Sequence, residues 1–332
     1  MIFSQQPVRR ITEAEQLDIQ ATLRKLTLAV NQRDGAAMKA LTAPNLDVRG
    51  EGRFFEQAGM SRYTERRGED LSRVQLATLA REVRLLSEDV AMVDGFFRTS
   101  GWPGRDYAGT VNAILLRREG KWLTSKVRFA PIVNDGTYHE VKPNPGSASG
   151  WIDLLKDSAL TSFTGINGGT VPECWSLQEG VLKLTPGGAV RGGMRTKETF
   201  SSFELEFEWK VPPKGNSGIK YRIFFLGAGG ATGYEYQLVD DAGDRGAIAS
   251  ALERSGGLYN QIAPAKQVAN PVGEFNRSKI VVRGRHGEHW LNGEKVVGYE
   301  AESAAMESPI VLTYHGTEVE YRNLRIRRIS AE

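Results

Sequence analysis

From residue 151 onward the sequence alternates apolar and polar residues in short runs, which are separated by glycine-rich turns. These runs include SFELEFEWKV, SGIKYRIFF, GYEYQLVDD and PIVLTYHG. Alternation with a period of two places the apolar side chains on one face of a β-strand. Many short strands with turn signals between them favour an all-β sandwich. The pair Asn292-Gly293 also predicts a tight hairpin, because both central positions of such a turn need positive φ.

The first 133 residues follow a different pattern. Four apolar residues lie at helical spacing behind a Thr12/Glu15 capping box, which predicts a long helix over residues 12–31. They are Ile19, Leu23, Leu26 and Val30. A short helix after Asp34 and a helical stretch near residues 60–71 are expected next, and strands joined by turns such as Glu119-Gly120 follow. Helices followed by an antiparallel meander predict an α+β domain.

Length and composition set the domain organisation and exclude several classes of protein. A chain of 332 residues predicts about two domains. Residues 134–149 are rich in Pro, Gly, Ser and Asn, so they are expected to link a domain at 10–133 to one at 150–330. The net charge of +3 has no basic run, which argues against nucleic-acid binding. The single cysteine, Cys174, excludes an intramolecular disulfide and a multi-cysteine zinc site.

The sequence contains no apolar run long enough to cross a bilayer, so no membrane span is expected. The first ten residues also lack the apolar core of a signal peptide. Two locations stay open. The protein is cytoplasmic, or it is periplasmic or secreted after removal of its signal.

Three segments of the first half, LAVNQRDGAAMKALTAPNLD, DVAMVDG and ILLRREGKWLTSKVRFAPI, resemble the SnoaL-like branch of the nuclear transport factor two fold. The resemblance implies an α+β cone over residues 10–133, and usually a homodimer. Residues 1–133 contain no histidine, which favours an assembly or small-ligand role over catalysis. The expected lining of the cone is Asp94, Arg98, Trp102 and Tyr63.

The second half resembles the 3-keto-disaccharide hydrolase domain family. The motifs that carry the resemblance occur in the expected order, from CWSLQEGVLKL through GNSGIKYR, GYEYQLVDD, GGLYNQIAPAK and HWLNGEKVVGYE to HGTEVEYRNLRIRRI. This implies a concanavalin-like jelly-roll sandwich over residues 150–330. Tyr314 stands where family members often carry an Asp. The implied substrate is a glycoside whose sugar has been oxidised to a ketone at carbon 3.

Such a substrate sets clear chemical requirements. The carbonyl at C3 acidifies the C2 hydrogen, so a base can remove it and expel the oxygen at C1. Water can then add to the resulting enone, which makes the overall reaction either an elimination or a hydrolysis. An enzyme needs a base, an acid for the leaving oxygen, and positive charge or a metal ion at the enolate oxygen.

Two strands supply polar rows that suit this chemistry. Asn216, Gly218, Lys220 and Arg222 alternate along GNSGIKYR. The row in GYEYQLVDD is Glu235, Gln237 and Asp241. We expect Asn216, Lys220 and Arg222 to floor a sugar groove in which Gly218 leaves room for the ring.

The predicted catalytic residues are Glu235, His315 and Lys220, with Glu235 as base or metal ligand and His315 as proton shuttle. The predicted substrate-binding residues are Asn216, Arg222, Gln237, Asp241, Tyr259, Lys266 and His289. Each has a structural alternative. Glu235 could pair with Lys220 or Arg222 inside the sheet, Tyr259 could anchor its loop, and His289 could cap the Asn-Gly hairpin.

Cofactor use and the class of function stay open at this point. His289, His315 and Glu235, with Asp241 in reserve, could hold a divalent metal, but their wide separation in sequence gives no spacing test. The alternative to an enzyme is a lectin-like carbohydrate-binding module with a dimerising N-terminal domain. A third alternative places the chemistry in the N-terminal cone.

Overall fold

The computed structural model describes residues 9–50, 73–101, 106–132, 138–147, 150–227, 230–242 and 250–331. The chain divides into two compact units between Val133 and Asn134. The expected helical stretch near residues 60–71 lies outside the described residues, and so do Tyr63 and Trp102.

The first unit contains two helices, α1 Glu13–Gln32 and α2 Gly35–Ala40. Its strands are β1 Thr42–Gly50, β2 Gln75–Ser87, β3 Val90–Ser100, β4 Ala108–Arg118 and β5 Lys121–Pro131. Thr12 and Glu15 form the expected reciprocal capping box at the start of α1. The five strands form one sheet in the order β1-β5-β4-β3-β2, in which β1 runs parallel to β5 and the other pairs are antiparallel. The α+β prediction is confirmed.

A cavity of about 40 Å³ lies between α1 and this sheet, and its lining is mainly apolar. Val93 is part of that lining, whereas its neighbour Asp94 is not, because successive strand residues point to opposite faces. Asp94 instead accepts hydrogen bonds from Arg84, at 2.7 Å, and from Asn112. The expected role of Asp94 in lining a cone is therefore wrong for this cavity.

The second unit is built from short strands. Its first strands are β6 Tyr138–Glu140, β7 Ile152–Asp153, β8 Phe163–Gly165, β9 Trp175–Gln178, β10 Val181–Leu184, β11 Met194–Thr196 and β12 Phe203–Lys210. The later ones are β13 Asn216–Gly227, β14 Gly230–Val239, β15 Asn276–Arg283, β16 His286–Leu291, β17 Glu294–Glu300, β18 Val311–Leu312 and β19 Val319–Arg328. A short 3-10 helix, Ala251–Glu253, lies between β14 and β15.

These strands form two sheets, as the alternating pattern predicted. One has the order β17-β16-β15-β12-β19-β10-β9, with β7 beside β19. The other has the order β14-β13-β18-β11-β8, with β6 beside β13. Large buried side chains from both sheets, including Phe207, Tyr221, Tyr236 and Tyr321, form the core. The β-sandwich prediction is confirmed, and Asn292 and Gly293 both have positive φ in the predicted hairpin between β16 and β17.

Part of the segment expected to be a linker belongs to the second unit. Strand β6 pairs antiparallel with residues 225–227 of β13. Asn144 then donates to the Lys197 carbonyl at 2.9 Å, and its backbone N–H donates to Thr199 Oγ1 at 2.8 Å. No helix among the described residues is long and apolar enough to span a membrane.

His289 lies in the core of the sandwich and is fully buried. Its Nδ1–H donates to the Gly256 carbonyl at 2.9 Å, and its Nε2 accepts from the Tyr221 hydroxyl at 2.7 Å. Burial lowers the pKa of His289 to about 4, because the protonated ring would lose its hydration. The expectation that His289 reaches a substrate groove is therefore wrong, and the ring is a neutral core residue.

This burial predicts a pH-dependent loss of stability. An unfolded histidine titrates near 6.5 and the folded His289 near 4, so acid protonates the unfolded chain first. The contribution is fully present above about pH 6.5 and is lost as the pH falls towards 4, by about 3 kcal/mol in total. We expect the difference in unfolding free energy between wild type and His289→Asn, measured by urea titration, to shrink over this window. Parallel pH curves would contradict the prediction, since all other titrating groups are common to both proteins.

Candidate functional site

The site lies on the face of the second sheet that points away from the core. In the register of β13 with β14, Gly218 lies opposite Gln237 and Lys220 lies opposite Glu235. Residues that lie opposite each other in neighbouring strands share a face. Asn216, Gly218 and Lys220 therefore lie on the same face as Glu235 and Gln237, which we call the site face.

Glu235 is at the centre of the site face and is only 7% exposed. Its Oε2 lies 3.5 Å from Lys220 Nζ, and its Oε1 accepts from His315 Nε2 at 3.4 Å. Burial disfavours the charged carboxylate, but the positive charge of Lys220 and the hydrogen bond from His315 outweigh it and lower the pKa of Glu235. Glu235 is therefore an ionised carboxylate with a cation on one oxygen and an imidazole on the other.

Gly218 provides the space that Glu235 occupies. A Cβ atom added at Gly218 would lie 2.2 Å from Glu235 Oε1 and 2.9 Å from its Cδ. The sequence predicted that Gly218 makes room for a sugar ring. The structure corrects this, since the side chain above Gly218 is the Glu235 carboxylate.

His315 follows β18 and is held by a contact that the sequence did not indicate. Thr317 Oγ1 accepts from the backbone N–H of Asn216 and donates to the Asn216 carbonyl, both at 2.8 Å. This pair of bonds ties the segment after His315 to the start of β13. The His315 side chain is 36% exposed, so it can contact both Glu235 and a ligand.

Two further predicted residues adjoin this cluster. Gln237 Nε2 donates to Asn216 Oδ1 at 3.1 Å. The backbone N–H of Tyr259 donates to the Glu235 carbonyl at 2.9 Å, while the residue before it, Leu258, bridges to the core residue Tyr236. Tyr259 is 39% exposed, so its ring is accessible beside the site face.

Arg222 does not join the site face, which corrects the prediction. The register of β13 with β14 shifts between Tyr221 and Phe225, and Arg222 has a φ of 48°. This bulge turns its guanidinium away from Lys220. Arg222 donates to the carbonyls of Ser303, at 2.8 Å, and Ala304, at 3.3 Å, and its guanidinium lies 5.4 Å from the centre of the Tyr234 ring.

Two other expected binding residues also lie elsewhere. Asp241 accepts from the backbone N–H of Ser255 at 3.0 Å, lines a separate cavity with Arg254, and has a pKa raised by burial. Lys266 is exposed and pairs with Glu294 in the β16–β17 hairpin. Both side chains serve local structure.

The metal set considered from the sequence does not assemble. His289 lies in the core, on the opposite side of the sheet from Glu235, and Asp241 is bonded to Ser255. Across the described ranges, no group of three His, Cys, Asp or Glu side chains is arranged to hold a metal ion. The residues that do come together are the Glu235 carboxylate, the His315 imidazole and the Lys220 ammonium group, which we call the trio.

This trio has the parts of an acid–base site. An ionised carboxylate only accepts hydrogen bonds, so His315 Nε2 carries the proton directed at Glu235. Nδ1 is then the ring nitrogen that can take up a proton from a ligand, and the carboxylate stabilises the imidazolium that forms. Lys220 adds a fixed positive charge next to the pair. The second unit is thus a two-sheet β-sandwich that carries a candidate acid–base site on one outer face.

Comparison with known proteins identifies the family. The family model of the 3-keto-alpha-glucoside-1,2-lyase-like domain matches residues 150–327, so the chain belongs to that family. A curated relative, the 3-keto-disaccharide hydrolase of Bacteroides thetaiotaomicron, is 29% identical over 174 residues. That match covers 47% of this chain and 60% of the relative.

Solved structures resemble each unit separately. A candidate glycosyl hydrolase from Parabacteroides distasonis is 24% identical, with a TM-score of 0.47, and the match covers 55% of this chain and 94% of that protein. An NTF-2 like protein of unknown function from Shewanella oneidensis is 19% identical, with a TM-score of 0.29, and the match covers 34% of this chain and 96% of that protein.

The position of Arg222 predicts a structural role that stability measurements can test. Lysine cannot reproduce the forked contacts to several carbonyls, so Arg222→Lys should lower the unfolding free energy by about 2 kcal/mol. The same substitution at the exposed Arg277 is the control, with an expected change within about 0.5 kcal/mol. Urea unfolding of both variants measures the difference. Equal small effects would show that Arg222 is not buried as described.

Proposed function

We propose that this protein cleaves 3-keto-glycosides by removing the C2 proton and breaking the C1–O bond. The observation that carries the proposal is the contact of Glu235 with both His315 and Lys220 on the site face. Membership of the 3-keto-alpha-glucoside-1,2-lyase-like family supports this substrate class, as does the name of the curated Bacteroides relative.

Each of the three residues has a distinct role in the proposed mechanism. His315 Nδ1 removes the C2 proton, and Glu235 orients the ring and stabilises the imidazolium. Lys220 stabilises the negative charge that develops on the C3 oxygen. The separation of 3.4 Å between His315 Nε2 and Glu235 Oε1 is long for such a pair, and contacts of this kind tighten when a ligand binds.

The electron flow balances without an external oxidant or reductant. The C2–H bonding pair forms a C2=C3 double bond as the ketone becomes an enolate. Collapse of the enolate regenerates the ketone, forms a C1=C2 double bond and expels the C1 oxygen, which takes up the proton that His315 removed from C2. Release of the enone at this stage is elimination, and addition of water across C1=C2 gives net hydrolysis.

Asn216, Gln237 and Tyr259 complete the proposed site. The amide pair of Asn216 and Gln237 presents donors and acceptors of the kind that bind sugar hydroxyls. The accessible ring of Tyr259 can stack against the apolar face of a sugar. These residues would hold the ketone-bearing ring over the trio.

Substitutions within the trio test the roles. We expect His315→Asn to lower kcat on a nitrophenyl 3-keto-glucoside by about 1,000-fold and Glu235→Gln to lower it by about 100-fold or more. Lys220→Met should lower kcat by about 100-fold, because it removes charge stabilisation of the enolate. Lys266→Met is the matched control, because Lys266 pairs with Glu294 away from the trio. Wild-type activity in His315→Asn would refute the assigned base.

Gly218→Ala tests the geometry of the trio without removing any of its functional groups. The added methyl would collide with the Glu235 carboxylate, so we expect kcat to fall at least about 10-fold through displacement of the carboxylate. Gly298→Ala is the control, since a Cβ at Gly298 meets nothing within 4 Å. Rates of product formation and circular dichroism of both variants measure activity and folding. Full activity in folded Gly218→Ala would contradict the position of Glu235.

A carbohydrate-binding module without catalytic activity is the alternative outcome. In that case calorimetry would show binding of 3-keto sugars and of their reduced counterparts, while mass spectrometry would show the ligands unchanged. The trio predicts turnover, so binding without any product would overturn the catalytic proposal.

A further inference from the structure

An apolar cluster lies directly beside the acid–base trio. It consists of Val141, Ile223, Leu226, Ala231 and Val311, with the partly buried Ile166 packed against it, and we call it the apolar plug. Val311 is the pairing partner of Lys220 across β13 and β18, so their side chains share a face. The plug therefore lies on the site face.

The plug and the trio are in direct contact. Lys220 Nζ donates to the carbonyl of Ala231, a plug residue, at 3.1 Å. The same Nζ lies 3.5 Å from Glu235. Along β13 the site face is thus polar at Asn216 and becomes apolar directly after Lys220, where the plug begins.

Val141 is brought to the plug by the segment that precedes the matched family region, residues 150–327. Strand β6 pairs with residues 225–227 of β13 and ends at residue 140. Asn144, a few residues further on, is fixed by its bonds to Lys197 and Thr199. Val141 is thus held at both sides and is only 9% exposed.

We propose that the apolar plug closes one end of the site and restricts it to an oxidised ring that carries no substituent on the side facing Val141. This inference rests on the proposed function. A substituent on that side would have to displace packed apolar atoms, and a further sugar would leave its hydroxyls against carbon without hydrogen-bond partners. The plug makes the protein specific for the terminal ring of a glycoside, with the bond to be broken at the polar end.

Ring-substituted substrates test this restriction on the full chain. The probes are nitrophenyl 3-keto-glucoside and its 4-O-methyl and 6-O-methyl ethers, each in both anomeric forms. For wild type we expect kcat/KM for at least one ether to be about 10-fold or more below that of the unsubstituted ring. Val141→Ala should raise the relative kcat/KM of the rejected ether by about 10-fold, and Val141→Ile should lower it further.

Val296→Ala is the matched control. It removes the same atoms from a buried valine of β17, in the other sheet, so it should leave the preference between the substrates unchanged. Equal turnover of the unsubstituted glucoside and both ethers by wild type would overturn the proposed restriction and leave the proposed function standing. An unchanged preference in Val141→Ala, or an equal change in Val296→Ala, would also overturn it.

Binding to Glu235→Gln separates the two proposals when turnover is lacking. If wild type turns over none of the compounds, weaker binding of one ether than of the unsubstituted ring would support the proposed restriction. It would also overturn the catalytic function. Absence of both binding and turnover would overturn both proposals.

Discussion

The bulge between Tyr221 and Phe225 determines what each face of β13 carries. Before it, Lys220 lies on the site face and Tyr221 lies in the core, where it bonds His289. Within it the order is reversed, since Arg222 points towards Ser303 while Ile223 joins Val141 and Val311. A strand without the bulge would place a second cation beside Lys220 and an isoleucine in the core. The polar site and the apolar cluster that borders it both depend on this single change of register.

Burial of Glu235 is the second constraint, and it explains why the neighbouring residues are specified so closely. Removing a carboxylate from water costs several kcal/mol, and only well-placed partners offset this cost. Lys220 and His315 supply the charge and the hydrogen bond, and Gly218 supplies the space. Each of these residues is therefore coupled to Glu235, so stability and acid–base chemistry depend on the same contacts.

Local sequence rules predicted a large part of the structure. The capping box at Thr12, the hairpin at Asn292 and the alternation along β13 up to Tyr221 and along β14 follow from interactions within a few residues, and the structure contains all of them. The alternation also brought Lys220 and Glu235 together, because it fixes which side chains can share a face. Family motifs then added His315, which no local rule could place beside Glu235.

The errors came from features that depend on distant parts of the chain. Extending the alternation beyond residue 221 wrongly places Arg222 on the site face. The sequence there has no glycine or other local feature that predicts a bulge. His289 and Lys266 were assigned by residue type, whereas their partners, Tyr221 and Glu294, are set by the tertiary fold. Thr317 was missed because its role is to bond the backbone of Asn216, roughly a hundred residues earlier in the sequence.

The segment before the family domain contributes one residue, Val141, to the apolar plug. The trio and the bulge lie within the matched residues 150–327, whereas Val141 precedes them. Its position is fixed by backbone pairing of β6 with residues 225–227 and by the bonds of Asn144 to Lys197 and Thr199. Substitutions at Val141 can therefore change the size and polarity of the plug while the acid–base contacts stay intact. Composition alone favours a linker here, because a strand of three residues can be stabilised by the edge it joins without a pattern of its own.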